Sequence, residues 1–296
     1  MLWILCTVLA AAAQTARNAM QSGLTRSLGV LGATQVRFVF GLPFALLLLA
    51  VAALATQSTL PGVSPRFLLF TTAGAVMQIL ATALLLRAMH GGSFTVATAL
   101  SKTEAVQIAV FGLVILGDEL TLLRSVAIAL ATVGVLLTAT KRGEKWTAAG
   151  LGPVLLGVAS GGCFALAAVG FRGGILALED GGYWLRATFT LTWSLGIQAL
   201  LLGLWMLAMA REALIGSFRL WRQSVPAGLM GALASQFWFL GFALTSAANV
   251  RTLGLVEVLF AYGVGHHVMR QRVAPRTLAG MLLIVAGVAL LVMAAA

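Results

Sequence analysis

A chain of 296 residues that is 60% apolar and only 9% charged, with 33 glycines and a mean hydropathy of +1.02, lies outside the range of soluble domains. Its net charge of +11 requires an anionic counterpart, and with so little polar sequence that counterpart is lipid headgroups facing Lys and Arg in loops rather than nucleic acid. The connections between apolar runs are too short for a separate catalytic or DNA-binding module.

Runs long enough to cross a bilayer, ~20 residues each, occur ten times: Leu2 to Met20, Ala33 to Leu54, Phe67 to Leu86, Ser93 to Leu116, Thr121 to Thr140, Ala149 to Phe171, Tyr183 to Ala210, Gln223 to Thr245, Asn249 to Met269 and Pro275 to Ala295. The first has the apolar core and small residues of a signal peptide, but no basic n-region, and it has a counterpart in Gly150 to Phe171; it reads as a first span. Cys6 and Cys163 sit inside spans, so a disulfide framework is not expected.

The fourth span is the most informative. Ser93 to Leu120 carries Lys102, Glu104 and Gln107 in an otherwise apolar run that reads as one helix up to Gly117. Ionisable side chains at mid-membrane depth are costly unless they face protein or water, by about 3 kcal/mol on insertion scales. Thr95, Thr98 and Lys102 recur at helical spacing, and Ser101, Glu104 and Gln107 form a second stripe, so little of this helix faces lipid.

Shifting the chain by 153 residues superposes Glu104 on Glu257, Gly112 on Gly265 and Gly134 on Gly287. A shift of 149 places Arg37 on Arg186. The expected organisation is therefore all-α: residues 1–140 as a first five-helix repeat, 141–148 as a short basic linker, and 149–296 as a second repeat. Five is odd, so the second repeat enters the membrane inverted, the plan of many secondary transporters. Loop charge agrees. Asp118 and Glu119 before the fifth span become Gln271 and Arg272 before the tenth, and Arg87 and His90 after the third become Leu240 and Ala243 after the eighth. Loops after odd-numbered spans carry eleven Lys and Arg, including Arg26, Arg87, Lys141, Arg142, Lys145, Arg211 and Arg219; the opposite loops carry Arg66, Arg124 and Arg172. By the positive-inside rule both termini lie outside the cytoplasm.

Ten spans in two halves, an Arg in the second span of each, and Gly117-Asp118-Glu119-Leu120-Thr121 ahead of the fifth resemble the drug/metabolite transporter superfamily, EamA-type branch, whose pattern there is Gly-Glu-x-Leu-Thr. Glu257 in Leu-Gly-Leu-Val-Glu-Val is similar to the Leu-Glu-Pro of that family's ninth span. Departures are Asp118 for Glu, Val258 for Pro, an eroded second copy at Arg270 to Ala274, and Ser101-Lys102-Thr103-Glu104 where the family's fourth span has a Pro. The polar fourth and aromatic eighth spans resemble most the bacterial aromatic amino-acid exporters. The resemblance implies an exporter in the inner membrane, with no enzymatic activity and no cofactor.

Substrates of inverted-repeat transporters bind near the midplane, so the candidates are Gln14 and Asn18 on the first span, Gln78 on the third, Lys102 and Glu104 on the fourth, and Gln236, Trp238 and Phe242 on the eighth. Each has a plain alternative: amides glue helices, and Trp238 and Phe242 can meet lipid. Glu257 belongs with coupling or structure. His266-His267 is a weak metal signal, because adjacent helical residues point about 100° apart, and no metal is expected. Lys102, Glu104 and Glu257 admit three readings: a structural ion pair from Lys102 to a carboxylate, charge partners for a zwitterionic substrate, or a proton-coupling carboxylate. The expected function is alternating-access export of a small amphipathic metabolite, with aromatic or large neutral amino acids favoured. The rivals are a proton-coupled exporter of lipophilic cations and a non-transporting membrane scaffold. The partners are the solute and the bilayer, with the chain a monomer or weak homodimer.

Overall fold

The structure is a computed structural model that describes residues 1–91, 100–139, 151–257, 259–260 and 275–295. The regular structure of its described residues is all helical, without a strand. The helices are α1 (Leu2–Val39), α2 (Leu42–Thr56), α3 (Pro65–Gly91), α4 (Glu104–Phe111, continued as a π-helical turn over Gly112–Leu116), α5 (Leu122–Ala139), α6 (Leu151–Leu176), α7 (Tyr183–Met209), α8 (Arg211–Arg219), α9 (Trp221–Leu244), α10 (Ala247–Leu253, continued as a 3-10 turn over Gly254–Val256) and α11 (Pro275–Ala295). Among the described residues, six stretches are long and apolar enough to cross a membrane: Leu31–Thr56, Pro65–Leu85, Leu155–Leu176, Tyr183–Met209, Trp221–Leu244 and Pro275–Ala294. Leu2–Arg17, Glu104–Leu116 and Leu122–Leu137 are shorter apolar helices.

The chain forms two compact units, and each draws on both ends of the sequence: Met1–Val76 with Gly170–Thr245, and Met77–Val169 with Ser246–Ala296. The first unit contains α1, α2, α7, α8 and α9 with the start of α3 and the end of α6. The second contains the rest.

In the first unit α1 is a hairpin, not a rod. Gly29 has φ 67 and ψ 177, a conformation open to glycine and closed to other residues. Gln21 Nε2 donates to the Ala33 carbonyl at 2.9 Å, and Arg17 and Arg37 both pack on Gly231. In a straight helix the first pair would lie ~18 Å apart and the second ~30 Å. Leu24, Ala33 and Val36 close the hairpin with Ala227 of α9. The chain thus leaves its first apolar run near Gly29, nine residues beyond Met20 where hydropathy alone ends it. The connection between α7 and α9, expected as a loop, contains the amphipathic helix α8, with Leu214 and Ser217 buried and Arg211, Glu212 and Phe218 exposed. Phe218 meets Phe40 at 5.3 Å between ring centroids.

In the second unit α5 packs along α11. A Cβ placed on Gly134 would meet the Gly280 carbonyl oxygen at 2.6 Å and the Ile284 nitrogen at 2.7 Å; one on Gly287 would meet the Ala131 nitrogen at 2.6 Å and the Ala127 carbonyl oxygen at 2.8 Å. The shift of 153 carries 127, 131 and 134 onto 280, 284 and 287. The contact is therefore reciprocal, as across a two-fold axis. As the chain rises along α5 its partner falls along α11, so the pair is antiparallel. Both positions need glycine because backbone meets backbone there.

Candidate functional site

On the first unit the candidates of α9 divide between two faces. Gly228, Gly231, Ser235, Trp238 and Phe242 follow one another at helical spacing; Gly231 and Trp238 contact α1, and Trp238 and Phe242 are buried, with the Phe242 ring 6.1 Å from that of Phe239. Gly228 lets the Phe40 backbone approach within 2.6 Å of a Cβ position. Trp238 Nε1 donates to Gln14 Oε1 at 3.1 Å. An indole N–H only donates, so the Gln14 amide is fixed with its oxygen on Trp238 and its two N–H groups turned away. Trp and Gln14 therefore form an aromatic wall with an oriented donor. Asn18, one turn on, has a helical backbone, and its side chain lies outside the described residues.

Gln236 does not join this pocket. Two residues from Trp238, it points about 200° round the helix and reaches α7, where its Nε2 donates to Thr188 Oγ1 at 2.8 Å. The Thr188 hydroxyl spends its proton on the Trp184 carbonyl at 2.8 Å and can only accept from Gln236. This fixes the amide the other way round: Gln236 Oε1 is buried with no hydrogen-bond partner. Phe239, on the same side, stacks on Phe171 at 4.9 Å. Below Phe242, Arg172 donates to the carbonyls of Phe242, at 3.0 Å, and Thr245, holding the C-terminal end of α9 where the backbone dipole favours a cation.

On the second unit the fourth-span run is not one unbroken helix. Leu100 and Ser101 are helical, Lys102 and Thr103 form a turn, and α4 restarts at Glu104. The cause is local. Thr103 Oγ1 donates to the Leu100 carbonyl at 2.6 Å, the backbone tightens to three-residue hydrogen bonds, and Gln107 Nε2 ties back onto Thr103 Oγ1 at 2.9 Å. Gly161 of α6 fits against this turn, with its Cβ position 2.9 Å from the Ser101 carbonyl oxygen. The ninth span breaks at the matching place: α10 tightens into the 3-10 turn at Gly254–Val256 just before Glu257, and residues 102 and 103 shift by 153 onto 255 and 256. Gly117, with φ 70, ends the fourth-span run.

The charges pair differently from the sequence reading. Glu104 Oε1 binds Arg251 Nε at 2.7 Å, with 13% and 19% of the two side chains exposed. Lys102 is half-buried and makes no hydrogen bond or ion pair with a described residue. The expected bridge from Lys102 to a carboxylate is thus replaced by Arg251, a residue whose charge inside the ninth apolar run was signal enough to find it. Gln78 and Glu257 are half-buried and engaged in polar contacts. Tyr262, His266, His267, Thr95, Thr98 and Gly265 lie outside the described residues.

Residues 1–140 match the model of the EamA-like transporter family. Twenty-eight solved chains match in fold. One of them, a crystal structure of a protein, covers 98% of this chain and 94% of its own at a TM-score of 0.72 and 14% identity, a likeness of fold alone. No curated protein matches. The chain is a multi-pass membrane protein whose first 140 residues, a little under half of its length, are similar to the EamA-like transporter family.

Proposed function

We propose that the chain is an alternating-access exporter of small amphipathic metabolites, with aromatic or large neutral amino acids as the favoured cargo, built as two inverted five-span repeats in the inner membrane. The observation that carries the transport reading is the repeat-matched break in two spans, at Lys102–Thr103 and at Gly254–Val256, each followed by a glutamate. Discontinuous helices with ionisable groups are how secondary transporters build midplane sites. The antiparallel, reciprocal α5–α11 contact supports the inverted repeat.

Trp238 and Phe242 supply the ring contacts, worth ~0.5–1.5 kcal/mol each, and the fixed Gln14 amide turns N–H donors away from Trp238. Lys102 offers a cation on the broken fourth span. The pairing of Glu104 with Arg251 weighs against the lipophilic-cation reading, because a carboxylate already held by a guanidinium is a poor cation trap. Glu257 serves coupling or structure, Gln78 is a further candidate polar contact to solute, and Gln236, turned to Thr188, serves packing against α7. Export and the position of both termini outside the cytoplasm rest on the resemblance and on loop charge.

The test is counterflow of labelled phenylalanine, tryptophan, leucine and a lipophilic cation into liposomes holding the purified protein, with Lys102→Ala and Trp238→Ala beside the wild type. Amino-acid exchange that falls about tenfold or more in either variant is the expected result. Exchange of the cation alone would transfer the protein to the drug-exporter class, and exchange of nothing would remove the amino-acid reading.

A further inference from the structure

We infer that Arg17, with Arg37 and Ser235, forms an oxyanion subsite at mid-membrane depth that takes the carboxylate of the transported solute; this rests on the transport reading above and refines it. Arg17 is a cation with 7% of its surface exposed, inside the first apolar run. Its Cδ lies 3.5 Å from the Cβ position of Gly231, and the Cγ of Arg37 lies 3.4 Å from the same point, so two guanidinium stems converge on one glycine of α9. Both arginines are engaged in polar contacts, which hold them in place. The Arg37 guanidinium carbon lies 5.5 Å from the Phe38 ring centroid, and a cation buried like Arg17 in a medium of low dielectric favours an anion beside it.

The third group is Ser235, one turn beyond Gly231 on the same face. It is 3% exposed, and its Oγ has no hydrogen-bond partner. A serine hydroxyl one turn from the glycine that both arginine stems touch is available to donate to an anionic oxygen. The next turn on each helix brings Gln14 and Trp238, already joined to each other. The α1–α9 crossing thus runs from cations, through a hydroxyl, to an oriented amide and an aromatic ring, the order in which a carboxylate and an aromatic side chain are arranged in one small solute.

Depth separates a solute from a lipid headgroup. Arg17 stands twelve residues before the reversal at Gly29, ~18 Å along the helix, which is about the midplane of a hydrocarbon core ~30 Å thick. A phosphate at the interface does not reach a buried side chain there.

The experiment measures inhibition of labelled phenylalanine exchange, and direct binding of labelled 3-phenylpropionate, by the full chain in phosphatidylcholine vesicles. Arg17→Gln, Arg17→Lys and Ser235→Ala are compared with wild type, using 3-phenylpropionate as the carboxylate without an ammonium and phenethylamine as the reverse. The expected result is about a tenfold or larger loss of 3-phenylpropionate inhibition in Arg17→Gln and Ser235→Ala, partial retention in Arg17→Lys, and phenethylamine inhibition unchanged. Ser235→Ala is small enough to keep the test valid if the arginine variants do not fold. Equal losses for both probes, or no loss for either, overturn the subsite. Dependence of the effect on added phosphatidylglycerol would assign the cations to lipid and also overturn it. If wild type binds 3-phenylpropionate through Arg17 but exchanges no amino acid, the subsite stands and the amino-acid reading falls. If exchange proceeds equally in all variants, the reverse holds. If wild type shows neither exchange nor binding, both fall.

Discussion

Two helix crossings tell different stories about the same duplicated sequence. The α5–α11 crossing obeys the 153-residue shift position by position, with Gly134 and Gly287 matched and each helix presenting equivalent positions to the other. The α1–α9 crossing does not. Its repeat counterparts are α6 and α3, and the shift carries Gly231 onto Gln78 and Trp238 onto Leu85. Where α3 and α6 meet, glycines of α6 dominate the contact: the Cβ position of Gly170 lies 2.9 Å from Gly74 Cα, and Gly173 and Gly174 lie against the side chains of Phe70 and Thr71. Symmetry has survived where the helices only pack, and it has been lost where side chains carry polar chemistry. The polar crossing is therefore the specialised one.

The largest effects should come from spoiling the symmetric crossing. Gly134→Leu and Gly287→Leu each drive a side chain into backbone at 2.6 Å; because backbone cannot yield as a side chain does, the clash exceeds the ~1–3 kcal/mol of ordinary overpacking, and both variants should fail to give folded protein, to a similar degree, in a detergent thermal-stability assay. A clear difference between them would break the two-fold account. Next comes the charge pair of the second unit. Arg251→Met strands Glu104 and should cost about 3–5 kcal/mol, whereas Arg251→Met with Glu104→Gln should recover most of it, because a partner removed alone leaves a charge buried. Thermal melts of the single and double variants check this.

Smaller effects sharpen the polar crossing. Trp238→Phe keeps the ring and removes the N–H that orients Gln14, so phenylalanine exchange should weaken roughly three- to tenfold, the scale of one hydrogen bond, with little change in melting. Thr188→Val removes the acceptor that fixes the Gln236 amide; a buried amide left unsatisfied at both ends should lower stability by about 1–3 kcal/mol, read from the same melts. The smallest effect expected is at Ser246, whose side chain accepts from the Asn249 backbone N–H at 3.3 Å at the start of α10: Ser246→Ala should cost about 1 kcal/mol.

Much of this was legible in the residues, for identifiable reasons. Hydropathy marks helices because the bilayer forbids other backbone, so the all-helical fold and the apolar runs could be read directly. The repeat could be read because glycines at a backbone contact cannot drift, and Gly134 and Gly287 are such glycines. Contacts between side chains distant in sequence were less legible. Gln236 and Trp238 looked like neighbours in one pocket, yet a separation of two on a helix sends them to α7 and α1. The three readings of Lys102, Glu104 and Glu257 named no partner for Glu104 on another helix, and the one it has is Arg251. The hairpin inside the first 39 residues was hidden because Gly29 is one glycine among 33, and only its φ distinguishes it.

The most direct test of this account compares Trp238→Ala with its repeat counterpart Leu85→Ala in phenylalanine counterflow, at matched reconstitution. If the α1–α9 crossing is the specialised one, exchange is lost in Trp238→Ala and largely kept in Leu85→Ala. Equal loss in both, or exchange kept in Trp238→Ala, would contradict it.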